Sequence, residues 1–235
     1  ANIAVHRFKE PIQTEAPAGT ATATFTLAVL FHQHRNRQAH QRTNIRAYLG
    51  SAAYHDKTRL GANNLLTAIR SPGSALKPYI TLYALDHYHL HPHTPIDDTP
   101  LDGPYNPDNY DQKYLGRITL GEALQRSRNT PAVRLLSRIG ADTLASWLEE
   151  NGLPLATLDN SPPNLTLALG GVGIRATELA ALYRQLANCT YRPELPAPLA
   201  SQRACLQTSQ ILQTVGDSSG PLKYGAEPVA LKTGT

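Results

Sequence analysis

The sequence predicts an α+β fold, with an antiparallel sheet drawn from strands at the two ends of the chain and helices filling the middle. Two observations predict it. Apolar runs of strand length lie at residues 25–31, 45–49 and 228–232. Between residues 74 and 188, apolar residues recur at a helical period of about 3.6, separated by capping residues and glycines. The 235 residues suffice for one large domain or two small ones, and 41% apolar with 17% charged residues is ordinary for a globular chain.

The elements follow in order. Residues 1–43 form a segment with one strand: 16–24 is low-complexity Ala, Thr, Pro and Gly, 25–31 is the strand, and 32–42 is polar and basic. The basic stretch reads as a solvated loop, with a phosphate- or metal-binding loop as the sharper alternative. Residues 44–235 form the second unit, and a hairpin of 25–31 with 44–50 is expected to join the two. Leu76, Ile80, Tyr83 and Ala84 place a helix from about Ser74, with Pro78 in its tolerant first turn. Residues 91–118, with five prolines, form a long ordered loop, and loops of that length are commonly functional. Thr119 and Glu122 read as a capping box opening a helix towards Ser127. Thr130-Pro131 reads as the cap of the next, which stops near Gly140. Asp142 caps a third ending at Gly152, and Thr177 a fourth with Leu179, Leu182, Tyr183 and Leu186 on its buried face. The sequence has no internal repeat.

Composition narrows the function classes. A net charge of +4 and a pI near 9.1 permit loose attraction to an anionic polymer or membrane surface, but no nucleic-acid partner is expected. No stretch of these 235 residues reaches the roughly 18 apolar residues of a membrane span or shows the basic, apolar, small-residue order of a signal peptide, which leaves location open. Methionine is absent, position 1 included, so the chain reads as a fragment or a processed product. Cys189 and Cys205 define neither a disulfide framework nor a zinc site; free thiols are expected, with one disulfide as the alternative. The alternating His87, His89, His91 and His93 lie in a proline-bearing loop without a carboxylate or cysteine at ligand spacing, and neither metal nor cofactor is expected.

Three short motifs carry chemistry. Ser74-x-x-Lys77 sets a hydroxyl and an amine on one side of a helix start, where an unprotonated lysine can take the serine proton. That requires a lysine pKa lowered by burial or by another cation, and Lys232 is a candidate cation. Ser127-x-Asn129 places a hydroxyl and an amide at a helix junction, suited to relaying a proton and to orienting Lys77 and a substrate amide. Lys232-Thr233-Gly234-Thr235 offers a charge for a substrate carboxylate, a glycine permitting close approach, an edge for strand addition, and in the Thr235 N–H an oxyanion donor beside that of Ser74. Taken singly, each motif also reads as something ordinary: a helix start with a solvated lysine, a helix cap, a turn.

Together and in this order, the three resemble the penicillin-recognising serine acyltransferases, a family of D,D-transpeptidases, D,D-carboxypeptidases and β-lactamases. Arg70-Ser-Pro-Gly-Ser-Ala-Leu-Lys-Pro78 is similar to the nucleophile segment of class A penicillin-binding proteins, Tyr105-Asn-Pro-Asp-Asn109 to their approach loop, and residues 123–133 to their second-motif helices. Residues 164–188 resemble the glycine turn and helix that follow, with the 1C branch nearest in pattern. The resemblance covers residues 44–235. It implies the β-lactamase/transpeptidase-like fold, incomplete here because the family's sheet continues past the third motif, and it implies no glycan polymerisation. It implies Ser74, Lys77, Ser127, Asn129 and Lys232 as catalytic residues and Thr233, Gly234 and Thr235 as substrate-binding residues. Peptidoglycan stem peptides and β-lactams become the expected partners, and the outer face of the bacterial inner membrane the expected location, with anchoring through upstream sequence. D,D-transpeptidation is the leading expectation. A carboxypeptidase or β-lactamase would differ in using water as acceptor, and a truncated module would retain the motifs without turnover. Glu149 and Glu150, which invite comparison with a deacylating glutamate, read as solvated helix residues.

Overall fold

The chain enters its central helix through a turn that opens at Gly73, with Pro78 as the helix's second residue. In the computed structural model, which describes residues 50–51, 54–55, 57, 62–157, 160–192, 194–195, 199–218, 230 and 232–233, Gly73–Leu76 form a 3-10 turn and helix α1 runs over Lys77–His87. Ser74 therefore belongs to the 3-10 turn and Lys77 opens the α-helix, a later start than the periodicity predicts. The tighter winding suits the pair, because side chains three apart eclipse one another in a 3-10 turn.

Strand β1 (Ile69–Arg70) leads into this turn and pairs antiparallel with β4 (Ile174–Arg175). Strand β2 (Pro95–Asp98) pairs antiparallel with β3 (Gly116–Thr119), Ile96 opposite Ile118 and Asp98 opposite Gly116. Alternation along β2 turns Ile96 and Asp98 inward and Pro95 and Asp97 outward. Helix α2 (Leu120–Gln125) starts at the expected capping box: Thr119 Oγ1 accepts the Glu122 N–H while the Glu122 carboxylate accepts the Thr119 N–H. Helices α3 (Asn129–Ile139), α4 (Ala141–Glu150), α5 (Ala176–Tyr191) and α6 (Gln202–Ser218) complete the order, with a 3-10 turn at Leu165–Leu169 before β4. The fold is α+β, as the sequence predicts. The strands expected at 25–31 and 45–49 lie outside the described residues, as does most of 228–232.

Every residue of α1 from Lys77 to Leu85 is buried, because α2, α3, α6 and the two 3-10 turns surround it. A helix apolar on most sides is a core element, so the base expected of the second half of Ser-x-x-Lys sits on the core helix itself. The turn that begins α1 is anchored from the far side. Ser71 Oγ donates to the Gly170 carbonyl at 2.6 Å, and the Tyr183 hydroxyl to the Ala75 carbonyl at 2.8 Å. Gly170 has φ +84°, and a Cβ there would fall inside the contact distance of the Gly73 amide, so only glycine permits this approach.

Three caps depart from expectation. Thr130 lies inside α3, its hydroxyl donating to buried Asp98 at 2.7 Å, and Pro131 is the third helical residue. Asp142 lies in the first turn of α4, whose cap position is Gly140 with φ +92°. Thr177 lies inside α5, where the Glu178 carboxylate instead accepts the Arg175 N–H at 3.1 Å. At α3 and α5 another residue serves the helix end, Asn109 and Glu178 respectively, whereas α4 starts without a side-chain cap. Helix α6, which the sequence reading left unassigned, packs along α5.

That packing corrects the expectation of free thiols. It brings the Cα atoms of Cys189 and Cys205 to 5.9 Å, and the two are joined as a disulfide. Closing a loop of 16 residues restricts the unfolded chain. Replacing both cysteines with serine is expected to lower stability by about 3 kcal/mol, read from urea midpoints under non-reducing conditions; an unchanged midpoint would refute the link.

Candidate active site

The Lys77 amine is the meeting point of the first two motifs. Its side chain is only 2% exposed. Nζ donates to the Ser127 carbonyl at 2.7 Å and to Asn129 Oδ1 at 2.6 Å. The third motif arrives through Lys232, whose amine donates to Ser127 Oγ at 2.9 Å and to the Thr233 carbonyl at 2.7 Å. Four of the expected residues, Lys77, Ser127, Asn129 and Lys232, thus converge. Ser74 is half-buried one turn before Lys77, and its hydroxyl is not hydrogen-bonded to the Lys77 amine. Thr233 is exposed beside Lys232, and Gly234 and Thr235 lie outside the described residues.

Ser127 is held unusually. Its φ is +53°, the left-handed region that non-glycine residues rarely occupy. The reason is the end of α2. The Ser127 N–H donates to the Leu124 carbonyl at 3.0 Å and the Arg128 N–H to the Ala123 carbonyl at 2.9 Å, the paired bonds of a Schellman turn, which normally places glycine here. The turn presents the Ser127 carbonyl to Lys77 and its hydroxyl to Lys232. Strain of this kind concentrates at functional positions.

Beneath the junction lies a buried charge network. Asp98, fully buried, accepts from Arg128 Nε at 2.7 Å, Thr130 Oγ1 at 2.7 Å, Asn109 Nδ2 at 2.7 Å and the Leu115 N–H at 3.1 Å. Burial alone would raise its pKa; those hydrogen bonds outweigh it and hold the carboxyl below its ordinary range. Arg128 also grips both oxygens of Asp111, at 3.0 and 2.9 Å, and donates to the Lys113 carbonyl. The same cation bears on Lys77. Burial first, then Lys232, then Arg128, lower the Lys77 pKa from 10.5 to about 7. Burial lowers Lys232 to about 8.

The family model of the penicillin binding protein transpeptidase domain matches residues 37–235. The chain belongs to the penicillin-binding protein transpeptidase family. It is 36% identical to penicillin-binding protein 1C of Escherichia coli strain K12 over 210 residues, 83% of this chain and 27% of that protein. It is 35% identical to penicillin-binding protein 1F of Bacillus subtilis strain 168 over 153 residues, 63% of this chain and 20% of that protein. The chain therefore spans about a quarter or less of the length of these relatives. Among solved structures, PonA1 of Mycobacterium tuberculosis in complex with penicillin V superposes with a TM-score of 0.58 at 18% identity, covering 65% of this chain and 49% of that one. The transpeptidase domain of Burkholderia pseudomallei penicillin-binding protein 3 gives 0.53 at 20%, covering 65% and 55%. These two likenesses support the fold.

For a member of this transpeptidase family, the sequence reading missed Asp98, Asn109 and Arg128 as parts of the site's frame. Their signal was present as the acidic and amide residues of the 91–118 loop and as the arginine inside Ser127-Arg-Asn129. The alternating histidines separate: His87 stacks on Tyr83 with ring centroids 3.9 Å apart, and His91 Nδ1 accepts the His93 N–H at 3.2 Å. Among the described residues, no group of three or more His, Cys, Asp or Glu is arranged to hold a metal. Glu149 and Glu150 are exposed at the end of α4.

The backbone of Ser127 generates a prediction. Ser127→Gly will be more stable than Ser127→Ala by about 1 kcal/mol, because glycine occupies the left-handed region freely while both lose the hydroxyl. Urea denaturation of the two variants measures it; equal midpoints would show that the turn carries no such strain.

Proposed function

We propose that the chain provides the acyl-transfer site of a peptidoglycan D,D-transpeptidase, with residues 44–235 as the transpeptidase unit. The hydroxyl of Ser74 attacks the carbonyl of the penultimate D-alanine of a D-Ala-D-Ala stem peptide. The terminal D-alanine leaves as its amine takes a proton, and the serine ester passes its acyl group to an amine of a neighbouring stem. β-Lactams acylate the same serine. The location that fits is the outer face of the inner membrane; among the described residues, no helix is long and apolar enough to cross a membrane.

The observation that carries this reading is the environment of Lys77. With a pKa near 7, a large fraction of the amine is neutral at physiological pH. A neutral amine has two N–H donors, and the Ser127 carbonyl and Asn129 Oδ1 accept both. The lone pair is left as the fourth tetrahedral position, free to receive the Ser74 proton. Ser127 Oγ, bonded to the Lys232 amine, is suited to return a proton to the leaving nitrogen, and the Lys232 cation to meet the substrate carboxylate.

Labelling the full chain with a fluorescent penicillin tests the nucleophile. The parent is expected to carry a denaturation-stable adduct and Ser74→Ala none; equal labelling of the two would remove Ser74 from the role. Incubation with a stem peptide and an amine acceptor then separates transpeptidation from hydrolysis by product: cross-linked peptide, or free acid.

The two lysines also set a pH profile. Acylation is expected to rise through about pH 7 as Lys77 loses its proton, and to fall above about pH 8 as Lys232 loses its charge. Lys232→Gln removes a cation that lowers Lys77, so the rising limb moves to higher pH and the falling limb disappears. A rate flat from pH 6 to 9 would contradict Lys77 as the base.

A further inference from the structure

We propose that Asn109 is a positioning residue: from the long loop it caps α3 and thereby fixes where the Asn129 carboxamide meets the Lys77 amine. This rests on the acyl-transfer reading above.

Helix α3 begins at Asn129 with no cap from its own preceding residue, because the Arg128 guanidinium has only donors, which go to Asp98 and Asp111, and cannot accept an N–H. The first N–H groups of a helix have no partner inside it. Asn109 Oδ1 supplies one, accepting the Asn129 N–H at 2.7 Å and the Thr130 N–H at 3.4 Å. Its Nδ2 donates to Asp98 Oδ1 at 2.7 Å and to the Lys113 carbonyl at 3.0 Å. Reversing the amide would set its NH2 against two donors and its oxygen against two acceptors, so only one orientation satisfies the site. At 2% exposure, water cannot take over these bonds.

The neighbouring residue completes the grip. The Asp108 carbonyl accepts from Asn129 Nδ2 at 2.7 Å, which leaves Asn129 Oδ1 for Lys77. Two consecutive loop residues thus hold the backbone and the side chain of Asn129, one each. Loss of the cap frees the first turn of α3 and lets the acceptor facing Lys77 drift. A displacement of about 1 Å at a reacting group can cost on the order of 100-fold in rate.

The test measures penicillin acylation of the full chain, separating the maximal rate from the half-saturating concentration. Asn109→Ala is expected to lower the maximal rate roughly 10- to 100-fold, with little change in half-saturation. Val133→Ala, a packing deletion in the same helix at a residue 2% exposed, serves as the stability control and is expected to keep the parent rate despite a lower melting temperature. Asn109→Asp keeps an acceptor for both N–H groups but sets a second carboxylate against Asp98. Its rate relative to the parent should rise as pH falls and the introduced carboxyl takes up a proton and donates again. Should Asn109→Ala fail to fold, that pH-dependent ratio decides. A parent-like maximal rate in Asn109→Ala, losses in both alanine variants that simply track stability, or a pH-independent ratio in Asn109→Asp would each overturn the positioning role. If Ser74→Ala has lost labelling, such results leave the acyl-transfer reading intact; undiminished labelling of Ser74→Ala removes that reading instead.

Discussion

A fully buried carboxylate organises this structure. Asp98 faces inward because strand alternation places it on the same side as Ile96, and an ionised group there must be matched by donors. The donors come from four places: the 99–115 loop through Asn109, the entry to β3 through Leu115, the α2–α3 junction through Arg128, and α3 through Thr130. Each has reason to be where it is only because the others are. Removing one partner from a buried charged pair typically costs about 3–5 kcal/mol, so the 99–115 loop, the paired strands β2 and β3 and the α2–α3 junction are expected to hold or fail together.

The site inherits its geometry from this frame. The residues that satisfy Asp98 sit one position away from those that touch Lys77: Arg128 and Thr130 flank Asn129, and Arg128 follows Ser127. Charge satisfaction below the junction thus fixes hydrogen-bond acceptors above it. From the opposite side, the Gly170 turn presses on the Ser71–Gly73 segment and sets the entry to α1. The lysine lies between two rigid pieces of backbone, one shaped by a buried ion and the other by the absence of a side chain.

The convergence of the candidate site was legible in the sequence where it rests on residue type and short spacing. Ser74 and Lys77 lie within one turn, Ser127 and Asn129 within three residues, and Lys232 reaches Ser127 as the motif order implied. What was not legible depends on tertiary partners. Thr130 looks like a cap, yet its hydroxyl goes to a carboxylate 32 residues earlier. Asn109 looks like a loop polar residue, yet it caps a helix 20 residues later. Local rules assign each helix end to its nearest Ser, Thr or Asp, and here more distant groups won because buried Asp98 competes for the same hydroxyls and amides. The serine in a glycine's place at 127 gives no signal at all in a sequence. The joining of Cys189 to Cys205 depends on α6, whose face the reading did not assign. Period, capping boxes and glycine stops did place α2, α3, α4 and α5 to within a few residues, because those signals are local.

Because Lys77 sits on the core helix, its protonation concerns the whole fold. A lysine free in an unfolded chain keeps its proton until about pH 10.5, whereas this one releases it near pH 7. Between those values the unfolded chain binds the extra proton, so stability rises with pH across the window, and unfolding there takes up a proton that calorimetry in buffers of differing ionisation enthalpy can count. Below about pH 7 both states are protonated and the fold carries the full cost of a desolvated cation. Acid therefore reaches the protein twice through one atom: the proton that occupies the lone pair is the same proton that loosens the core around it.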